Sequence, residues 1–151
     1  MTSNASSNSD VPVGVRAVQI ARSWIGTPYH HQASLKGVGT DCLGLIRGIW
    51  RELYGADAET PPPYSPDWAE ANGEEAMLLA ASRHMQPVAR EDFAAGDVLV
   101  FRVRRGAVAK HAALATRPDK IIHATEGARV AEVPLSPWWR RRIAAAFRFP
   151  D

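Results

Sequence analysis

GVGTDCLGLIRGIW, residues 37–50, contains the single cysteine of this 151-residue chain. Two glycines make a turn. Thr40 and Asp41 follow, both side chains that accept hydrogen bonds from first-turn amides, so either can cap a helix. Beyond them Leu43, Ile46, Ile49, Trp50 and Leu53 fall on one helical face, and the spacing predicts a helix from Cys42 to Tyr54. Gly44 and Gly48 lower helix propensity and stand four apart, which predicts close packing against a neighbouring element. Cys42 is thereby set in a first helical turn. Free N–H groups and the helix dipole favour an anion there, and the thiolate is the reactive form of the thiol. The same amides can stabilise an oxyanion beside the sulfur.

Outward from this stretch the chain divides by character. VGVRAVQIARSWI, residues 13–25, carries Val13, Ala17, Ile20 and Trp24 at helical spacing and reads as a helix ending at Gly26. GTPYHHQASLKGVGT, residues 26–40, is a loop. ADAETPPPYSPDW, residues 56–68, is a polar, Pro-rich connector, and EANGEEAMLLAASRHM, residues 70–85, a further helix. From residue 97 the pattern turns to short apolar runs: DVLVFRV, KHAALAT, KIIHAT, ARVAEVPL and IAAAFRF, with RRGAVA and RPD as turns. Helices first and strands after imply an α+β fold.

The formal net charge is +2, from 18 basic and 16 acidic residues, and no long basic run accompanies it. Nucleic acid is therefore not an expected partner. One cysteine excludes an intramolecular disulfide and a multi-cysteine zinc site. No stretch approaches the roughly 20 apolar residues of a membrane span. MTSNASSNSD at the start has neither a basic nor an apolar region, so residues 1–12 read as a disordered polar tail without a secretory signal, and 13–151 as one domain.

A free cysteine is more often a small buried hydrophobe than a nucleophile. The nucleophilic reading needs a base in hydrogen-bond reach and a group that orients the base. His111 opens one strand, with Ala113 and Ala115 on its face by period two, where small side chains would let a helix approach. His123 closes the next strand. If the Cys42 helix packs on that surface, thiol and two imidazoles line up. SPWWRRR, residues 136–142, is either a solvated basic edge or a substrate wall of Trp and Arg.

GTPYHHQASLKGVGTDCLGL, AAGDVLVFR, KHAALAT and IIHATEGARVAEVPLSPWW follow one another as the motifs of the NlpC-type papain-like cysteine peptidases do, and the sequence resembles that family from about Val13 onward. The likeness is greatest to its phage and gene-transfer-agent branch. It implies a papain-like NlpC-type fold, with the nucleophile at a helix start and N-terminal helices packed on a C-terminal antiparallel sheet. It implies Cys42 as nucleophile, His111 as general base and His123 as the polar residue that orients the base. Tyr29 matches a tyrosine that positions substrate or the oxyanion, and Asp41 the acidic residue before the cysteine. His30, His31, Trp138 and Arg140 are possible substrate contacts. Leu43 departs from the serine common after the cysteine.

The implied activity is hydrolysis of an amide bond in peptidoglycan stem peptides, typically γ-D-glutamyl to diamino acid, with no cofactor and no metal. Implied partners are those stem peptides and phage-like tail or baseplate proteins. The enzyme would be made in the bacterial cytoplasm, carried in the particle and active on the wall in the periplasm. Related amidases or acyltransferases, and a tail-tip protein that has lost turnover, are the alternative readings.

Overall fold

A computed structural model describes residues 10–59 and 75–151. Most of the expected polar tail, the Pro-rich connector from residue 60 on, and the first turn of the helix expected at 70–85 lie outside the described residues.

Helix α1 (Val13–Ser23) buries Ala17, Val18 and Ala21. It stops short of Gly26, because the chain needs left-handed backbone at Gly26 (φ 93°) to turn away. Trp24 caps it and is 1 % exposed. The following loop is not featureless. Its ends zip into a small antiparallel hairpin, β1 (Ser34–Leu35) with β2 (Gly39–Thr40), too short to give any alternation in the sequence. Helix α2 (Cys42–Tyr54) has the expected bounds and ends at the left-handed Gly55. A Cβ on Gly44 would overlap the Ala33 carbonyl, and one on Gly48 the Trp24 ring, so both glycines do permit close packing. Helix α3 (Ala76–His84) follows.

The sheet contains β3 (Gln86–Val88), β4 (Val98–Phe101), β5 (His111–Arg117), β6 (Lys120–His123), β7 (Ala131–Pro134) and β8 (Ile143–Arg148). All pairings are antiparallel, in the spatial order β3-β8-β4-β5-β6-β7. β3 was not anticipated. Pro87 interrupts its ladder, which is tolerable because it pairs only with β8 at the sheet edge. A short helix α4 (Pro137–Arg140), capped by Ser136 with proline at its start, interrupts the chain before β8.

Both faces of the sheet are covered. The three longer helices pack on one face, on Val98, Val100, Ala112, Leu114, Ile122 and Phe147. The other face holds Leu99, Phe101, Ala113, Ala115, Ile121 and Ile143, closed by Trp139. This corrects one expectation: the β5 residues in the helix-packed layer are not Ala113 and Ala115 but Ala112 and Leu114, and His111 shares the alternation of the opposite face. Asp97, at the start of the β-half, is buried and takes two hydrogen bonds from Arg148 (2.9 and 2.8 Å) and one from the Ala94 amide. That clamp ties the first central strand to the last.

Candidate active site

Asp41, not Thr40, caps α2: one carboxylate oxygen accepts from the Gly44 amide at 2.7 Å. The other accepts from the Gln32 amide at 2.8 Å, where Gln32 has φ 67°, and lies 3.9 Å from His31 Nδ1. The Asp41 carboxylate is thus spent on holding the loop against the helix start. It fixes where Cys42 sits.

The Cys42 thiol rests on the start of β5. Sγ is 3.8 Å from the Lys110 carbonyl oxygen, and the Ala112 amide donates to the thiolate form. The thiol therefore meets the backbone one residue to either side of His111. Burial pushes the thiol up to about 11, against the opposing pull of amide donors from Ala112, Leu43 and Cys42 itself; the Asp41 charge adds to the rise.

His111 Nε2 lies 3.0 Å from His123 Nδ1. One nitrogen donates and the other accepts, so the pair shares a single proton along that line. Burial holds His111 well below the usual imidazole range, with His123 as a second cause, and burial lowers His123 as well. Trp139 encloses the pair. Its ring stacks on His111 (5.1 Å, 29°) and meets His123 edge-on (5.3 Å, 81°), while Phe101 supports both His111 and Trp139.

Tyr29 is joined to Thr40 by a parallel bridge, which carries it to the helix start. Burial, then the charges of Asp41, Cys42 and Glu126, raise its phenol to about 12, so its O–H stays a donor. Tyr29 also borders a surface cavity of about 330 Å³ with Pro28, Gly127, Ala128 and Arg129. Leu43 turns into a second, apolar cavity of about 110 Å³ with Ile46, Trp50, Met77, Val100 and Ala112.

The structure thus sets Cys42 against the backbone on either side of His111, pairs His111 with His123, and places Tyr29 and Asp41 beside the start of α2. His30 is exposed, its ring near the His31 carbonyl. Trp138 is 42 % exposed under the Arg142 guanidinium, and Arg140 donates to the Pro118 carbonyl. The tryptophan that reaches the histidines is Trp139, the second of the doublet. Sequence could not choose between them, because only the helical turn of α4 decides which one faces inward.

Residues 26–148 match the model of the NlpC/P60 family. The chain belongs to the NlpC/P60 family. It is 27 % identical over 144 residues to the gamma-DL-glutamyl hydrolase of Bacillus subtilis, covering 95 % of this chain and 30 % of that protein. It is also 27 % identical over 122 residues to a probable endopeptidase of Haemophilus influenzae, covering 78 % of this chain and 63 % of that one. The chain therefore spans less than two thirds of the length of either relative. Among solved structures, the NlpC/p60 domain of the peptidoglycan hydrolase SagA superposes with a TM-score of 0.66 at 23 % identity, over 90 % of this chain and 98 % of that one. An NlpC/P60 protein from Bacillus cereus gives 0.65 at 23 % identity, over 91 % and 40 %. The shared architecture is the α+β NlpC/P60 fold, helices first and antiparallel sheet after. Among the described residues no three His, Cys, Asp or Glu side chains form a metal-binding group, and no helix is long and apolar enough to cross a membrane.

Proposed function

We propose that this chain is a cysteine peptidase that hydrolyses an amide bond of peptidoglycan stem peptides. The observation that carries the reading is the thiol set against the β5 backbone at His111, with His111 Nε2 held 3.0 Å from His123 Nδ1. That bond engages Nε2 and leaves His111 Nδ1 as the nitrogen to take a proton.

Burial penalises a lone thiolate and a lone imidazolium, so the proton passes between the two groups rather than to solvent. Cys42 Sγ bonds to the substrate carbonyl carbon as its proton moves to His111 Nδ1. His111 becomes an imidazolium whose Nε2–H donates to His123 Nδ1, so His123 carries its own proton on Nε2. The developing oxyanion takes hydrogen bonds from the first-turn amide of Cys42 and from the Tyr29 phenol. His111 returns its proton to the leaving nitrogen as the C–N bond breaks. Water then gives a proton to His111, its oxygen bonds to the acyl carbon, and the C–S bond breaks to restore the thiol.

The bond is γ-D-glutamyl to diamino acid. The sequence resemblance implies it, and the relative named as a gamma-DL-glutamyl hydrolase supports it. The setting is a phage-like or gene-transfer-agent tail, whose tail and baseplate proteins are the partners and which carries the enzyme to the wall in the periplasm. Digestion of diaminopimelate-type peptidoglycan by wild type and Cys42→Ala, read by mass spectrometry, tests the reading. New ends at that bond with wild type alone are expected. Cleavage at a different amide would move the protein to the amidase reading. No cleavage of soluble muropeptides by folded protein would leave a structural tail component.

A further inference from the structure

Five arginines that the sequence scatters over more than fifty residues converge in the fold. Arg90, Arg102, Arg105, Arg141 and Arg142 line one cavity of about 700 Å³ with Val103, Ile143 and Ala144. The fold explains the meeting. Phe101 pairs with His111 on one side and Ile143 on the other, and the Arg102 amide donates to the Arg142 carbonyl. The cavity therefore begins one residue beyond Phe101, whose ring supports His111 and Trp139.

Three of the five are tethered. Arg102 pairs with Glu75 and donates to the Ala107 carbonyl. Arg142 donates to the Val103 and Trp138 carbonyls, with its guanidinium 3.7 Å over the Trp138 ring. Arg90 donates to the Ile143 carbonyl and lies 3.6 Å from Glu91. Arg105 and Arg141 make no side-chain hydrogen bond or ion pair among the described residues. Among the described residues two carboxylates thus pair with these five guanidinium groups. A concave surface with that surplus attracts anions, and unpaired guanidinium forks match phosphate or carboxylate oxygens two at a time.

The geometry points to an oxyanion-binding site beside the cleavage centre, which holds phosphate or carboxylate groups of the wall polymer through Arg105 and Arg141. Its existence as an anion site stands on these residues alone; the wall polymer as its ligand rests on the proposed function. The three arginines of SPWWRRR do not act as one wall or one edge. Arg140 is turned away to Pro118, and the partners of Arg141 and Arg142 in the cavity come from the segments after β3 and β4 and from the start of β8.

The test is binding of Cys42→Ala protein to purified sacculi, with and without the further changes Arg105→Ala and Arg141→Ala, at low and high salt. Sacculi are used as isolated and after acid removal of their phosphodiester polymers. The two arginine changes are expected to weaken binding roughly tenfold and to flatten its salt dependence, since two exposed charge contacts are lost. Arg105→Lys with Arg141→Lys is expected to fall between, because the charge stays and the fork is lost. A loss confined to untreated sacculi assigns the ligand to phosphate; a loss on both assigns it to stem-peptide carboxylates. Equal binding by the folded double variant would overturn the site. Tighter displacement by a DNA duplex than by a glycerol phosphate polymer would overturn the wall assignment. Turnover of soluble muropeptides by the same arginine changes in active protein keeps the two proposals apart: a silent enzyme with intact, arginine-dependent binding would sink the peptidase reading only.

Discussion

At Cys42 two opposing forces meet. The helix start and amide donors favour the thiolate, and burial disfavours it; burial is the larger, so the thiol ends at about 11. At rest the Cys42 thiol and the His111 imidazole are therefore both neutral. Alkylation of Cys42 by iodoacetamide should be slow at pH 7 and keep rising between pH 9 and 11. A plateau already reached by pH 8 would mean that thiolate and imidazolium coexist at rest. Trp139 is a positioning residue in this account, since it keeps water from the histidine pair. Replacing it by alanine should let His111 hold its proton to higher pH, and the acid limb of kcat/KM should move up toward the ordinary imidazole value of about 6.5. A simple packing role would lower stability and leave that limb in place. His123→Ala removes the acceptor for His111 Nε2–H; kcat should fall about 10- to 100-fold with KM little changed, and His123→Asn should recover part of it.

Helix α2 was legible to the residue because the turn, the capping residues and the apolar stripe mark the same bounds. The glycines within it make a sharper claim. Gly48 has no room for a methyl group beside the buried Trp24 ring, whereas Gly55 faces open space and needs only its left-handed backbone. Gly48→Ala should cost about 2–3 kcal/mol through overpacking, and Gly55→Ala about 1 kcal/mol through backbone strain, both read from urea midpoints. Trp24→Phe in the Gly48→Ala background should restore part of the loss, since the pair then shares one volume. Other elements left little trace in sequence. β3 has three residues with a central proline, the β1–β2 hairpin has two-residue strands, and α4 is one turn long. None is long enough to establish a period, and each exists because the sheet or loop around it supplies its hydrogen bonds. The same limit applied to the site. Residue type and order marked Cys42, His111 and His123 only as candidates, and the family resemblance supplied their roles; the face of β5 that meets the helix and the tryptophan that covers His111 depended on register and on a turn that no local pattern records.

Across the whole molecule, burying a histidine pair has a thermodynamic consequence. His111 and His123 are both held below the usual imidazole range in the folded state, chiefly by burial. In the unfolded chain each takes up a proton near pH 6.5. Between that pH and the depressed folded value the unfolded state binds more protons, so stability rises with pH and is lost as pH falls. Glu59, Glu75 and Glu132 are shifted down as well, but their unfolded range lies near 4.5, below the interval from pH 7 to pH 5 in which the histidines act. Acidification from pH 7 to pH 5 should therefore cost about 2 kcal/mol through His111 alone, at about 1.4 kcal/mol per pH unit once its unfolded form titrates. His111→Asn is neutral at both pH values and keeps a polar side chain at the position. Urea unfolding of wild type and variant at pH 7 and pH 5 separates the contribution. The wild type should lose about 2 kcal/mol more than the variant over that interval. An equal loss in both would place the acid sensitivity elsewhere and remove the buried neutral histidine from the account of the site. The expected result would tie the two scales together: the water exclusion that keeps His111 neutral at mildly acidic pH is the same burial that makes the fold yield there.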